Sequence, residues 1–100
     1  MMYRVRILEE AEHDIDNARD WYELQLENLG DSFYSRIQDG INQIIKTPFS
    51  YRQIHKQIRR YIVHKFPFGI YYVVNEEISV VDIIGIIHFK RNPRVWKKRI

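Results

Sequence analysis

One histidine and two arginines in the C-terminal half are the residues of this sequence that could act on a phosphodiester. A histidine such as His88 could serve as a general acid or base, while Arg60 and Arg91 could stabilise a phosphorane. His88 stands at the end of an apolar run, where a histidine can also cap the backbone and pack against a ring such as Trp96. Packing is the favoured role of His88, and catalysis is the alternative.

The other histidines do not have the spacing of a metal site. His13, His55 and His64 are far apart, and no two histidines stand at the i, i+4 spacing that places both on one helix face. The sequence contains no cysteine, which excludes thiolate zinc ligands and a disulfide framework. We therefore expect neither a metal nor another cofactor.

A basic tail follows the last apolar run. Residues 90–99 contain six lysines and arginines and no acidic residue. Such side chains neutralise phosphates, so the tail is a candidate for contacting nucleic acid or a protein that carries it. The candidate target-binding residues are His88, Lys90, Arg91, Arg94, Trp96, Lys97, Lys98 and Arg99. The alternative is a solvated tail anchored by Trp96, and removal of the tail after Asn92 is expected to leave the fold largely intact.

The first half of the chain predicts one strand and a helical hairpin. Residues 3–8 alternate in hydropathy as a half-buried strand does. Apolar residues then recur at spacings of three and four up to Gly30, which can close a helix in the left-handed conformation. Asp31 or Ser32 can cap a second helix, which Pro48 ends. Because almost no residues join the two helices, they are expected to be antiparallel.

The second half predicts a β-meander after a polar connection at residues 49–56. β-Rich runs follow at residues 58–66, 70–75 and 78–89. The last run is almost entirely apolar, as in a central strand covered on both faces, and its Asp82 is expected to pair with a basic residue of a neighbouring strand. The sequence thus predicts a single α+β domain over residues 1–100, β-α-α-β-β-β, with the helical hairpin on one face of a four-stranded, mainly antiparallel sheet.

Charge is divided unevenly along this chain. The formal net charge is +3, but residues 1–45 sum to −6 and residues 46–100 sum to +9. This separation can steer association with an acidic partner or with nucleic acid. No apolar run approaches the roughly 18 residues of a membrane span, and the N-terminus has no apolar region of a signal peptide, so we expect a soluble protein with no membrane partner.

Several motifs together resemble the ParE branch of the RelE/ParE toxin superfamily. They are an arginine pair at Arg59-Arg60, the hairpin FPFGIYY, the closing pattern H-x-x-R-x-P-x-x-W that begins at His88, and an acidic helix with Trp21-Tyr22. They stand in the same order as in that branch and cover nearly the whole chain. The resemblance implies a toxin of a type II toxin–antitoxin pair, cytoplasmic in a bacterium and held inactive in a hetero-oligomer with an antitoxin protein.

The superfamily contains two modes of action. ParE-like members poison DNA gyrase, while RelE-like members cut messenger RNA in the ribosome, commonly with an arginine in the middle strand of the meander and a tyrosine near the C-terminus. Gly69 and Trp96 stand at those positions here. The resemblance therefore implies a gyrase-directed toxin that acts by binding. The alternatives are a ribosome-dependent endoribonuclease that uses Arg60, His88 and Arg91, and an inactive partner-binding member.

The resemblance also implies an antitoxin site at an edge strand and beside the helical hairpin. Antitoxin tails are typically acidic and would complement the basic half of the chain. The candidate residues are Trp21, Tyr22, Ile54, Arg59 and Tyr61. Ordinary packing beside Tyr22 is the favoured role of Trp21. In a regular strand Arg59 and Arg60 point to opposite faces, so at most one of them shares a surface with the tail.

Overall fold

The computed structural model describes residues 2–100, which form a five-stranded sheet with two long helices on one face. The strands are β1 (Arg4–Ile7), β2 (Arg52–His55), β3 (Ile58–Ile62), β4 (Phe68–Asn75) and β5 (Val80–His88). The helices are α1 (Glu9–Gln25), α2 (Leu29–Lys46) and the single turn α3 (Arg94–Lys97). The strand order is β1-β5-β4-β3-β2, in which β1 is parallel to β5 and the other pairs are antiparallel. The predicted α+β class and helical hairpin are confirmed.

The sheet has five strands rather than four because the predicted polar connection contains β2. This strand has one aliphatic residue, Ile54, so its sequence shows no alternation. Antiparallel pairing with β3 forms it, with Arg52 opposite Arg60 and a bulge between Gln53 and His55. The neighbouring strand, rather than hydropathy, therefore makes this segment extended.

The joint between α1 and α2 also differs from its prediction. Gly30, expected to stop the first helix, lies inside the first turn of α2, and the expected caps Asp31 and Ser32 are helical. The residue before α2 is Asn28, which has a φ of 70° in the left-handed region. The carboxylate of Glu23 accepts hydrogen bonds from the backbone N–H of Asn28 at 2.9 Å and of Gly30 at 3.0 Å. A side chain of α1 thus satisfies N–H groups that a local cap would otherwise serve.

The main core lies between the helical hairpin and one side of the sheet, called here the helix face. Its buried side chains come from both helices and from the β3–β5 region of the chain. They are Ala11, Ile15, Phe33, Ile37, Ile41, Ile44, Val63, Phe68, Ile70, Tyr72, Val81, Ile83 and Ile86. Removing such apolar side chains from water is the main favourable contribution to folding, about 1.5–3 kcal/mol for each large one.

A smaller apolar cluster covers the opposite side of the sheet, called here the tail face. It consists of Ile58, Tyr71, Ile84, Ile87 and Trp96. Trp96 in α3 stacks on Tyr71 with their ring centroids 5.1 Å apart, whereas Tyr72 lies in the main core. Tyr71 and Tyr72 thus lie on opposite faces of the sheet, and both are buried. The predicted two-sided burial of β5 is confirmed. Removal of the tail after Asn92 would expose this cluster, so the truncated chain is expected to be less stable than the full chain.

Asp82 has the partner that the sequence predicted. Arg6 stands directly opposite it in the neighbouring strand β1, and Arg6 Nε lies 2.6 Å from Asp82 Oδ1. The hydrogen bond to Asp82 and the attraction of its charge raise the pKa of Arg6. This ion pair explains how the apolar strand β5 accommodates a carboxylate.

Tyr72 is expected to make the fold less stable in alkali. Its fully buried hydroxyl donates to the carbonyl of Pro48 at 2.6 Å. Burial raises the pKa of Tyr72 from 10.0 to about 12. The unfolded chain therefore ionises this group near pH 10 and the folded chain only near pH 12, so the stabilisation is complete below about pH 10 and is lost as the pH rises through this interval, by at most about 3 kcal/mol.

Denaturant unfolding of the wild type and of Tyr72→Phe between about pH 9 and pH 12 measures this loss. We expect the free energy of unfolding to fall less steeply with pH in Tyr72→Phe, because one fewer proton is released on unfolding. At neutral pH the variant should be about 1 kcal/mol less stable than the wild type, since the Pro48 carbonyl loses its donor. Identical pH slopes in the two proteins would contradict the assignment.

Candidate functional site

The difference in length between β1 and β5 creates the candidate site. β1 pairs with β5 only from Val80 to Ile83, and the chain then turns into α1. Beyond Ile83, no strand within residues 2–100 covers this edge of β5. A cleft of about 550 Å³ lies there, between α1 and the C-terminal end of β5.

The walls of this cleft, called here the α1–β5 cleft, are mainly aromatic and aliphatic. Tyr22 packs against Phe66 and Phe68, with ring centroids 4.9 Å and 6.1 Å apart, and burial raises its pKa. Trp21 lies edge-on to Tyr22 at 5.1 Å and is 57% exposed. The predicted packing of Trp21 beside Tyr22 is therefore confirmed, but much of the indole ring is still accessible at the rim of the cleft.

His88 and Arg91 form the polar end of the cleft. His88 Nδ1 accepts a hydrogen bond from the backbone N–H of Lys90 at 3.0 Å, so a neutral His88 carries its proton on Nε2. The ring of His88 packs edge-on against Phe68 at 5.1 Å. The predicted backbone cap is confirmed. The predicted packing against Trp96 is wrong, because Trp96 lies on the tail face.

Two side chains occupy the uncovered edge of β5 nearest to β1. Asp14 accepts the backbone N–H of Ile86 at 3.0 Å, and Arg99 Nη1 donates to the carbonyl of Ile84 at 3.0 Å. Asp14 and Arg99 bind each other through contacts of 2.5 Å and 3.3 Å. Arg99 Nε lies 3.2 Å from Glu10 Oε2, an ion-pair contact without hydrogen-bond geometry.

We call the pair of Asp14 and Arg99 the edge latch. The side chains are 15% and 11% exposed, so both charges are largely withdrawn from water. The latch replaces the hydrogen bonds that a further strand would make, and it fixes the end of the basic tail to α1. Sequence reasoning missed the pairing of these two residues because 85 positions separate them.

The structure does not bring together the three residues considered for catalysis. Arg60 is directly opposite Tyr71 in the pairing of β3 with β4, which places its side chain on the tail face. Its guanidinium lies 5.4 Å from the ring centroid of Phe89. His88 and Arg91 line the cleft beside α1. The sheet therefore separates Arg60 from the other two residues.

The candidate target-binding residues divide into buried and exposed groups. Trp96 belongs to the tail-face cluster and Arg99 to the edge latch, so these two residues hold the tail in place. The exposed basic residues are Lys90, Arg91, Arg94, Lys97 and Lys98. Within the part of the chain that the structure describes, none of these exposed residues is in an ion pair.

The candidate antitoxin residues lie at two separate places. Trp21 and Tyr22 meet at the α1–β5 cleft, whereas Ile54, Arg59 and Tyr61 are in β2 and β3 at the opposite end of the strand order. Arg59 donates to a backbone carbonyl of the preceding loop at 2.8 Å. The pKa of Tyr61 is raised, and burial of its side chain is the largest cause of this rise. The two groups therefore cannot belong to one compact site.

In residues 2–100, no three histidine, aspartate or glutamate side chains are grouped so that they could hold a metal ion. No helix of that range is long and apolar enough to cross a membrane.

A family model matches the sequence over residues 5–93, and it describes the ParE toxin of the type II toxin–antitoxin system parDE. The chain belongs to the ParE toxin family. The match to the ParE toxin model includes both long helices and β2 to β5, and it ends before α3. The edge latch thus joins a residue inside the matched region to one outside it. No curated protein matches the sequence.

Solved structures of toxin–antitoxin proteins share the fold of this ParE-family chain. A chain of the chromosomal ParDE system from P. aeruginosa has a TM-score of 0.64 at 17% identity, covering 87% of this chain and 96% of its own. A mutant of the E. coli toxin RelE in the free state has a TM-score of 0.63 at 11% identity, covering 99% of this chain and 95% of its own. The archaeal RelE–RelB complex from Pyrococcus horikoshii contains a chain with a TM-score of 0.59 at 16% identity, covering 92% of this chain and 100% of its own. At these identities the likeness concerns the fold alone.

Proposed function

We propose that this ParE-family toxin arrests growth by binding DNA gyrase, without catalysis of its own, and that an antitoxin protein neutralises it. The observation that carries the proposal is the separation of Arg60 from His88 and Arg91 by the sheet. Cleavage of a phosphodiester requires an acid or base and a charge-stabilising group within reach of one scissile phosphate. Membership of the ParE toxin family supports gyrase as the target.

The remaining pair, His88 and Arg91, lies in surroundings that suit a protein side chain better than a phosphate. The cleft walls beside them are mainly aromatic and aliphatic, and such walls favour an apolar ligand group. His88 also uses Nδ1 to cap the backbone of Lys90. These contacts support a binding role for this end of the cleft.

The α1–β5 cleft is the site that we propose for the antitoxin. Trp21 offers an exposed indole at its rim, and Arg91 offers an exposed cation at its polar end. An acidic segment could place an apolar side chain in the cleft and a carboxylate beside Arg91. The β2–β3 edge is a weaker candidate, because Arg59 is already occupied by backbone carbonyls.

The experiment that tests the proposal combines purified toxin with gyrase and relaxed plasmid, and in parallel with ribosomes programmed with messenger RNA. We expect supercoiling to be inhibited and the messenger RNA to stay intact. Addition of the antitoxin encoded beside the toxin should restore supercoiling. Cleaved messenger RNA with unaffected gyrase would instead establish the endoribonuclease alternative, and no effect in either assay would establish an inactive member.

The exposed residues of the tail should carry part of the gyrase contact. We expect Lys97→Gln/Lys98→Gln to raise the toxin concentration needed for half-inhibition of supercoiling by roughly tenfold, because interfacial charges contribute about 1 kcal/mol or more when they are desolvated against a partner. Lys46→Gln/Lys65→Gln removes the same charge from exposed positions outside the tail and should have little effect. Equal losses in the two double variants would show that only net charge matters.

A further inference from the structure

Positive charge in this protein is concentrated where carboxylates are absent. All twelve lysines and arginines of residues 46–100 stand in two stretches, 46–75 and 83–100, that contain no acidic residue. Of these twelve, only Arg99 is in an ion pair within residues 2–100, and Arg59 is bound to backbone carbonyls. Apart from Arg99, the lysines and arginines of these two stretches are thus in no ion pair within residues 2–100, and they contribute a positive potential to the surface.

Part of this charge forms a row across the tail face. Arg52 of β2 is directly opposite Arg60 of β3, and Arg60 is directly opposite Tyr71 of β4. Directly opposed residues of antiparallel strands share a face, with their Cβ atoms about 5 Å apart. Trp96 stacks on Tyr71, so the row continues onto α3. Lys97 extends it, because its Nζ lies 5.8 Å from the centroid of the Trp96 ring, and Arg94 is exposed in the same helical turn.

Arg60 is held flat against the sheet within this row. Gly69 of β4 has no side chain, and a Cβ at that position would lie 2.9 Å from the Cγ and Cδ atoms of Arg60. The guanidinium then rests over the ring of Phe89 at 5.4 Å. An arginine fixed in this way loses less side-chain entropy when it binds an anion. Gly69 thus makes room for the side chain of Arg60.

We infer that this basic row, consisting of Arg52, Arg60, Arg94 and Lys97, binds the phosphate backbone of duplex DNA directly. The row crosses three strands and α3, a width of roughly 15 Å, which is sufficient to meet several phosphates. Binding is independent of base sequence, because the row consists only of cations on an open surface. The choice of DNA rests on the proposed function, since gyrase acts on DNA.

The face is better suited to a duplex than to a single strand. Single-stranded nucleic acid is bound by exposed aromatic rings on which bases stack. On the tail face of residues 2–100, Tyr71 and Trp96 are buried, and one side of the exposed Phe89 is occupied by Arg60. Backbone phosphates are therefore the groups that this surface can reach.

The test is fluorescence anisotropy of a labelled duplex of about 30 base pairs, titrated with the purified full chain at salt concentrations from about 50 to 200 mM. We expect affinity to fall steeply with salt, because bound phosphates release counterions. Arg52→Gln/Arg60→Gln should weaken binding roughly tenfold at low salt and reduce the slope of log affinity against log salt by about two. Arg52→Lys/Arg60→Lys keeps the charge and should restore most of the binding.

A control with the same change in charge is Arg4→Gln/Lys46→Gln, which alters two exposed residues outside the basic row. Equal weakening in the control, tighter binding of single-stranded DNA or of RNA, or no duplex binding at about 50 mM salt would each overturn the inference. The assay contains no gyrase. Gyrase inhibition by a toxin that does not bind DNA would therefore overturn this inference alone, and DNA binding without gyrase inhibition would overturn the proposed function alone.

Discussion

Trp21→Ala is expected to weaken the affinity of the toxin for its antitoxin by roughly 30- to 1,000-fold, a loss of about 2–4 kcal/mol. The indole is 57% exposed in the free toxin and lies at the rim of the α1–β5 cleft. Covering the exposed part would remove on the order of 100 Å² of mostly apolar surface from water, which contributes about 3 kcal/mol. Because so much of Trp21 is solvated, the toxin itself should lose little stability.

Isothermal titration of the purified toxin with the antitoxin measures this effect, and Ile62→Ala provides the comparison. Ile62 is 61% exposed in β3, at the other candidate place for the antitoxin. We expect Ile62→Ala to bind within about threefold of the wild type. If Ile62→Ala lost more affinity than Trp21→Ala, the antitoxin would lie on the β2–β3 side and the assignment of the cleft would be wrong.

Asp14→Ala is expected to destabilise the toxin by about 3 kcal/mol, which corresponds to a fall in Tm of roughly 12–24 °C for a domain of this size. The substitution leaves the largely buried Arg99 without its main partner and the N–H of Ile86 without its acceptor. Both losses are expected to lower the free energy of unfolding strongly, because the charge of Arg99 and the N–H donor of Ile86 would stay unpaired where water has little access.

Thermal and urea unfolding measure this loss, and the exposed pair of Arg19 and Asp31 provides the comparison. Their side chains are 40% and 67% exposed, so Asp31→Ala should cost less than about 1 kcal/mol. The double variant Asp14→Ala/Arg99→Ala should be more stable than the sum of the two single losses predicts, because the single variants each leave one charge unpaired. Strict additivity would contradict a direct coupling within the edge latch.

The sequence was sufficient to predict the helices and strands whose own apolar residues follow a regular pattern. The apolar spacing of both helices and the nearly continuous apolar run of β5 indicated their type, and Asp82 inside that run required a cation on a neighbouring strand, which is Arg6. β2 was missed because a four-residue edge strand with one aliphatic residue has no period of its own. The end of α1 was missed because Glu23, from the other side of the joint, holds the start of α2.

The arrangement of the candidate site was less accessible from the sequence. Arg60 and His88 are both basic residues of β-strands, and only the strand register shows that the sheet separates them. The α1–β5 cleft depends on β1 being shorter than β5, which no motif reports. Trp21 and Tyr22 were named from the sequence because the acidic helix that carries them is one of the motifs of the resemblance. The edge latch had no such signal.

The edge latch also determines when the chain can reach its final folded structure during synthesis. Asp14 is translated near the beginning of the chain, but its partner follows 85 positions later, so the latch closes only after Arg99 has left the ribosome. Closing a contact over such a distance is slow relative to forming the helical hairpin. Until then, the edge of β5 beyond Ile83 that faces away from β4 has neither the complete latch nor a strand to bind it, and an antitoxin segment already present in the cell would meet this edge open.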